Sequence, residues 1–253
     1  MKARLWTTAA VTLALAACDK EPTQLDRIAE AAAAPPIPSS TAPRPPPIPM
    51  APAITVDDGA CSVNGEEVLF AAPDAKDRIA GLLTGKPLVE GKVVAFDAAR
   101  EAKTPRIAAV VSALRKAKAK GALVHTSMRD RTMGELVLNF GHGAVSECTP
   151  AAMIRKDGTI AVWSAGGGTA QTFSKGFAGP DLTLGTDGLR KVSAACGSTV
   201  WALGADDNIT WGLTFDLAKR ALGEADAGSS GIKATETVLL SEAPVAGRKV
   251  EVP

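Results

Sequence analysis

Residues 201–222 read "WALGADDNITWGLTFDLAKRAL". An apolar, strand-like start is followed by a short acidic turn and then by residues with the spacing of an amphipathic helix. Residues 93–114, "VVAFDAAREAKTPRIAAVVSAL", share few identities with this stretch but have the same order of features. A pattern that recurs in this way indicates an internal repeat of one structural unit.

The first half of the repeat extends outward from residues 93–114. Two strands are predicted on either side of Gly59, in "ITVDDG" and "CSVNGEEVLF", and a helix is predicted to begin at Pro73 and stop at Gly85. The apolar stripe of the next helix consists of Ile107, Val110, Val111 and Leu114. The strands "ALVHT" and "GELVLNF" complete this half.

The second half repeats this order. Two strands flank Asp157-Gly158 in "AAMIRKDGTIAVW", a short helix lies in "TDGLRKVSAAC", and "IKATETVLLS" and "RKVEV" follow residues 201–222 as closing strands. A strand, helix, strand order needs a right-handed crossover, which makes part of the sheet parallel and places helices on one face. The sequence thus predicts an α+β fold of two tandem ββαβαβ-type domains, residues 54–145 and 146–253, with mixed sheets.

The N-terminus has the features of a lipoprotein signal peptide, residues 1–17. Two basic residues precede the apolar run Leu5–Ala17, which is shorter than the roughly 20 residues that span a bilayer. The run ends in "LAAC", which resembles the lipobox of bacterial lipoproteins, and this resemblance implies that Cys18 is acylated after cleavage. A plain secretory signal is the alternative. Asp19 resembles an inner-membrane retention signal of enteric bacteria, but the choice between inner and outer membrane stays open.

Residues 18–53 combine the lipid anchor with a Pro-rich linker. Residues 42–52 read "APRPPPIPMAP". Proline fixes φ and removes a backbone donor, so this segment is incompatible with a helix or a central strand. We expect a semi-rigid polyproline-like spacer, at about 3.1 Å per residue, that holds the folded part away from the membrane.

The composition excludes some functional classes. The 253 residues carry 28 Lys and Arg against 27 Asp and Glu, a net charge of +1, so nothing indicates a nucleic-acid partner. The chain has no Tyr and only two His, which leaves few of the usual catalytic side chains. No cofactor is predicted.

Both halves resemble the periplasmic domain of the ExbD/TolR family of biopolymer-transport proteins. The similar residues are "ITVDDGACSVNGEEV" and "KVVAFDAAREAKTPRIAAVVSALRKAKAKGALVHT" in the first half, and "MIRKDGTIAVW" and "TVWALGADDNITWGLTFDLAKRAL" in the second. The family's strand often ends in an Ala-Asp pair before the helix. The second half keeps this pair as Ala205-Asp206, whereas the first half has Ala98-Ala99-Arg100. The resemblance covers residues 54–240.

The resemblance does not extend to the membrane segment. Family members have an N-terminal transmembrane helix whose Asp takes part in proton-driven work beside a multi-span partner. Here the apolar run Leu5–Ala17 contains no acidic residue. The resemblance therefore implies a docking and assembly module, not a motor.

A few side chains suggest catalytic or metal chemistry at first sight. His142 lies six residues before Cys148 in "FGHGAVSEC", but proximity in sequence supplies neither a hydrogen-bonded base nor an oxyanion site. His125, His142, Cys148 and Cys196 lack the spacing of metal ligands. The glycines of "SAGGGTAQ" lack the Gly-Lys-Ser/Thr ending of a phosphate loop and are predicted to connect a hairpin. We therefore predict no catalytic, cofactor-binding or metal residues.

Three cysteines follow the predicted lipidation site: Cys61, Cys148 and Cys196. An exported protein lies in a compartment where disulfides persist. Because Cys148 opens the second half and Cys196 ends its first helix, a disulfide between these two is the predicted pairing. Sequence alone leaves the other pairings open.

The sequence thus predicts a membrane-anchored lipoprotein that faces the periplasm and acts as a non-enzymatic adaptor for envelope proteins. The predicted exposed edges are "GELVLNF" and "RKVEV", where a strand from a partner protein is expected to add to the sheet. Self-association through sheet edges is a further expectation. The alternative is a ligand-binding protein or an enzyme that uses a cleft between the two domains. Clustered polar residues in a deep cleft favour that alternative.

Overall fold

The computed structural model describes residues 51–140, 145–176, 179–223, 234–240 and 242–250. The predicted signal peptide, the lipidation site Cys18, most of the linker and His142 lie outside these ranges. Within the described part, no helix combines the length and the apolar character needed to cross a membrane.

The first half contains six strands and two helices. In chain order they are β1 (Ile54–Val56), β2 (Ala60–Val63), β3 (Glu66–Leu69), α1 (Ala75–Leu83), β4 (Val93–Ala98), α2 (Thr104–Lys116), β5 (Gly121–Ser127) and β6 (Met133–Asn139). The stretch "CSVNGEEVLF" was expected to be one strand but forms two. Asn64 and Gly65 adopt positive φ angles of 55° and 85°, which makes the tight turn between β2 and β3.

The second half contains seven strands and two helices among its described residues. They are β7 (Pro150–Ile154), β8 (Ile160–Ser164), β9 (Gln171–Phe173), β10 (Lys175–Gly176), β11 (Gly179–Pro180), α3 (Leu182–Cys196), β12 (Val200–Ala205), α4 (Trp211–Leu222) and β13 (Glu236–Leu239). The two strands predicted around Asp157-Gly158 are confirmed as β7 and β8. The closing strand predicted in "RKVEV" is wrong for Arg248–Val250, which form no strand, and residues 251–253 lie outside the described ranges.

Eleven strands form one mixed sheet in the order β3-β2-β1-β4-β5-β6-β13-β12-β7-β8-β9, and β10 and β11 form a separate pair. The expected mixed sheet is confirmed, because β4 is parallel to β1 and β5 whereas β6 is antiparallel to β5. Apart from the β10–β11 pair, the strands of both halves belong to this one sheet. The division into domains 54–145 and 146–253 therefore stays a prediction.

The strand order is the same in both halves when each is followed inward from its outer edge. The first half runs β3-β2-β1-β4-β5 and the second runs β9-β8-β7-β12-β13, with matching parallel and antiparallel pairs. β6 is antiparallel to β5 and parallel to β13, so the parallel strands of the two halves run in opposite directions. A rotation by 180° about an axis normal to the sheet places the strands of one half in the order and direction of the other. This rotation keeps the helices of both halves on the same face of the sheet.

The position of β6 contradicts one expectation. The stretch "GELVLNF" is a strand, as predicted, but it lies in the middle of the sheet between β5 and β13 and is not an exposed edge. The outer edges are β3 and β9, which are only 4 and 3 residues long. Edge strands this short offer little template for pairing with another chain.

The main core lies between the sheet and a helix layer in which α1 packs on α2, α2 on α4, and α4 on α3. The predicted apolar stripe of α2 is confirmed, since its four side chains are at most 1% exposed. From α4, Trp211 and Phe215 are fully buried with their ring centroids 5.9 Å apart, edge to face. Each such side chain contributes about 1.5–3 kcal/mol when buried, so this layer holds both halves to one sheet.

Candidate functional site

The three cysteines that follow the predicted lipidation site lie in two separate places. Cys148 and Cys196 form a disulfide with their Cα atoms 5.6 Å apart, which ties the segment before β7 to the last residue of α3. Cys61 is buried in β2 and is the one cysteine in the described ranges without a disulfide partner. Burial, and to a smaller extent the Asp57 carboxylate, raises the pKa of the Cys61 thiol to about 12. Cys61 is therefore a protonated core residue at neutral pH and not a nucleophile.

His125 lies on the outer face of β5 between two carboxylates. Its Nδ1 is 3.1 Å from Asp97 Oδ1, and its Nε2 is 3.8 Å from Glu135 Oε1. Because both ring nitrogens face acids, and no hydroxyl or thiol of the described residues hydrogen-bonds to the ring, the nucleophile–base pair of a covalent hydrolase is not present there. The same described residues contain no group of three or more His, Cys, Asp or Glu side chains suited to a metal ion.

The sheet face opposite the helices is open in the first half. Residues of β4 and β6 alternate between buried and exposed, so every second side chain points away from the helix layer. Ala95, Leu123 and Val137 are outward-facing neighbours across three strands. Together with Val93 they form what we term the apolar row, in which Val93 and Val137 are 47% and 46% exposed.

A second row of side chains lies directly beside the apolar row. Asp97, His125 and Glu135 are paired across the same three strands, and we term them the acidic row. Glu67 on β3 adds a further exposed carboxylate toward the outer edge. None of the outward positions in β1 to β6 is Lys or Arg. The open face therefore combines apolar surface with negative charge.

The same face of the second half is covered by the chain itself. Residues 242–250, which we term the C-terminal cover, cross it: the Trp163 indole N–H donates to the Arg248 carbonyl at 2.9 Å, and the Val250 N–H donates to the Ala165 carbonyl at 2.7 Å. A second apolar cluster is enclosed there. It consists of Ala151, Met153, Ala161, Trp163, Ala165, Ala202, Leu240 and Val250.

The two halves carry different residues at equivalent positions of the sheet. These differences fit the presence of the C-terminal cover on the second half and its absence from the first. Strand pairing aligns Asp97 with Gly204 and His125 with Leu240. A Cβ atom added at Gly204 would lie 2.7 Å from Pro244 Cδ, so the glycine lets the C-terminal cover approach the sheet. In the first half, the carboxylate of Asp97 disfavours a closely packed apolar cover, because it would lose its hydration.

A cleft of about 910 Å³ lies beside the helices of the second half. Its walls come from the first turns of α3, the C-terminal half of α4, and the turn at Met128–Asp130 of the first half. This is the kind of position that the cleft-based alternative requires. Its charged residues are Arg129, Asp130, Asp181, Asp187, Arg190, Asp216, Lys219 and Arg220.

Comparisons with known proteins assign no family to this chain. No protein family, curated protein or solved structure matches it. The resemblance to the ExbD/TolR periplasmic domain therefore remains an interpretation of the sequence pattern.

Proposed function

We propose that this chain is a non-enzymatic protein-binding module of the bacterial cell envelope, anchored to a membrane through acyl chains on Cys18 and facing the periplasm. The observation that carries the proposal is the difference between the two halves of the sheet. One half encloses its outer apolar side chains beneath the C-terminal cover, whereas the other leaves the apolar row exposed beside the acidic row. Contiguous exposed apolar surface rimmed by polar residues is typical of interaction sites.

The proposed occupant of the open face is an extended segment of a partner protein with apolar and basic side chains. The apolar row supplies contact area, and the carboxylates of Asp97 and Glu135 attract Lys or Arg. The C-terminal cover itself has this composition, "EAPVAGRKV". On the second half, Lys249 Nζ of the cover lies 3.6 Å from Glu147 Oε1. The second half thus gives an example, within the same chain, of an apolar and basic segment that packs on the sheet face opposite the helices.

The two halves are proposed to be two copies of one ββαβαβ-type unit, residues 54–145 and 146–253, joined through β6. The matching strand orders support this, as does the similarity of both halves to the ExbD/TolR periplasmic pattern. Two units in one chain have a high effective concentration for each other, so the internal pair replaces pairing between separate chains. Because the apolar run Leu5–Ala17 contains no acid, the proposed role is docking and not proton-driven work.

The test is a selection of displayed random peptides on the full-length protein in detergent. We expect the retained peptides to be rich in Lys or Arg and in apolar residues. Their binding should weaken at least about tenfold in Glu135→Lys and in Val137→Glu, since charged hydrogen bonds and apolar contacts of this kind each contribute about 1.4 kcal/mol or more. The matched control is Glu101→Lys, the same charge reversal at an exposed position before α2.

Two outcomes contradict the proposal. One is the retention of acidic peptides or of no peptides at all. The other is a set of peptides that bind Glu135→Lys and Val137→Glu as tightly as they bind the Glu101→Lys control.

A further inference from the structure

The carboxylates at two sides of the cleft are already engaged within the protein. Asp181 caps α3 by accepting hydrogen bonds from the Thr183 and Leu184 N–H groups at 3.1 and 3.0 Å. Asp130 accepts hydrogen bonds from the N–H and the hydroxyl of Thr132, which lowers the pKa of its carboxyl. Both carboxylates keep their negative charge, but part of their hydrogen-bonding capacity is used within the protein.

Asp216 is shared between two arginines. Its Oδ2 lies 2.5 Å from Arg100 Nη2 and 3.0 Å from Arg129 Nε. The side chains of Asp216 and Arg100 are 15% and 17% exposed, so this charge pair is largely withdrawn from solvent. One carboxylate facing two guanidinium groups leaves an excess of positive charge at this wall of the cleft.

Two further cations at the cleft have only weak neutral partners. Lys219 Nζ donates to the Glu135 carbonyl at 3.2 Å, and Arg220 Nη1 donates to the Thr183 hydroxyl at 3.4 Å. Neither forms an ion pair with a carboxylate of the described residues. Both lie in the last turn of α4, where basic side chains interact favourably with the helix dipole. The helix dipole explains why these residues occur in the last turn, and it leaves their N–H groups available to a ligand.

Arg190 is harder to explain as a purely structural residue. It lines the cleft from the third turn of α3 and is only 9% exposed. Its Nη1 is 3.4 Å from Asp187 Oδ1, and its buried Nε has no hydrogen-bond partner among the described residues. A buried guanidinium loses hydration and is normally compensated by several acceptors. Among the described residues, Arg190 therefore has one weak ionic partner, Asp187, and an unpaired Nε.

We propose that the cleft binds a small oxyanion, the phosphate or carboxylate group of a small molecule, through Arg190, Lys219 and Arg220. Guanidinium groups bind both kinds of oxyanion through paired hydrogen bonds. The Arg190 side chain is 11% exposed, and the ligand binds the part of its guanidinium that reaches the cleft and balances the charge of Lys219 and Arg220. Apart from the hydrogen bond of Lys219 to the Glu135 backbone carbonyl, this site shares nothing with the open face of the first half, and it does not depend on the partner proposed for that face.

The first test is isothermal titration of the full-length protein in detergent with inorganic phosphate and, separately, with succinate. The titration is done at low ionic strength, because salt screens exposed cations. We expect saturable one-to-one binding of at least one probe with a Kd of about 1 mM or tighter. Arg220→Gln and Lys219→Gln should each weaken it about tenfold, since hydrogen bonds to charged groups contribute at that level. Lys191→Gln is the matched control, because it removes the same charge from an exposed position next to Arg190 on α3.

A second variant separates ligand binding from a structural role of Arg190. Asp187→Asn removes the internal competitor for the guanidinium and should tighten binding of the probe severalfold. The proposal is overturned if neither probe binds saturably, if Lys191→Gln weakens binding as much as Arg220→Gln, or if Asp187→Asn leaves the affinity unchanged or lower.

Discussion

The hydroxyl oxygens of Thr104 and Thr214 lie 2.8 Å apart in the interior, where α2 of the first half meets α4 of the second. The surrounding backbone is also paired between the halves, since the Thr104 N–H donates to the Ile209 carbonyl at 2.8 Å and the Trp211 N–H donates to the Ala102 carbonyl at 2.6 Å. These contacts join the halves on the helix side, and β6 joins them within the sheet. The two halves are therefore expected to unfold together.

Thr104→Val and Thr214→Val test this junction. Each change removes one hydroxyl with little change in shape and leaves the other hydroxyl buried without its partner. Each should lower the free energy of unfolding by about 1–3 kcal/mol, whereas the double variant should lose less than the sum. Urea denaturation followed by circular dichroism measures all three. Additive losses would show that the two hydroxyls are not coupled, and two separate transitions would show that the halves unfold independently.

Local sequence signals predicted most elements of the fold. Asp157-Gly158 marked the turn between β7 and β8, and the apolar spacing of α2 predicted which side chains face the sheet. These features depend on backbone preferences and on periodicity within about a dozen residues, which a sequence displays directly. The Asn64-Gly65 turn is equally local, since Asn-Gly is a strong hairpin signal, and the expectation of a single strand across it was wrong.

Features set by pairing between distant residues were not predictable in the same way. The alternation in "GELVLNF" correctly predicts a strand with Leu136 and Leu138 buried, but alternation does not reveal which strands lie beside it. The pairing of β6 with β13 joins the two halves into one sheet. The open face follows from the alternation in β4, whereas the C-terminal cover has no periodic pattern that predicts its place on the second half.

The Cys148–Cys196 disulfide should stabilise the second half mainly by restricting the unfolded chain. The two cysteines are 48 residues apart, and the chain-entropy relation gives about 4 kcal/mol for a loop of that size. The Cys148→Ser/Cys196→Ser variant should therefore unfold at a lower urea concentration than the oxidised protein. Reduction of the wild-type protein should reproduce the shift and should have no effect on the variant. An unchanged urea midpoint after complete reduction would contradict this role.

Cys61 should be unreactive in the folded protein. Burial, assisted by the Asp57 carboxylate, raises the pKa of its thiol from 9.0 to about 12, so the reactive thiolate is scarce and shielded. Iodoacetamide should label Cys61 only after denaturation, as peptide mass mapping can show. Because the folded state holds the proton more tightly than the unfolded state, the contribution to stability is complete below pH 9 and is lost as the pH rises toward 12. Cys61→Ala should remove that part of the alkaline loss, and rapid labelling of the native protein would contradict the burial.

Gly204→Ala tests the contact between the sheet and the C-terminal cover. The added Cβ would lie 2.7 Å from Pro244 Cδ, so the cover must shift away from the sheet. Overpacking of this kind costs about 1–3 kcal/mol of unfolding free energy. The matched control is Asp97→Ala, which places the same side chain at the equivalent position of the open face and should have a much smaller effect. Equal losses of unfolding free energy in the two variants would show that the contact with the C-terminal cover is not the cause of the Gly204→Ala effect.

The proposed lipid anchor rests on the "LAAC" pattern that ends at Cys18. A thiol is required for attachment of the diacylglycerol, so Cys18→Ala should incorporate no radiolabelled palmitate when expressed in a bacterial host. Since two or more acyl chains hold a protein stably to a bilayer without a spanning helix, the variant should also leave the washed membrane fraction unless its uncleaved signal peptide retains it. Cys61→Ala is the control, because it removes a different thiol from the same chain and should keep both the label and the membrane association. Continued labelling of Cys18→Ala would show that acyl chains are attached elsewhere and would contradict the proposed anchor at Cys18.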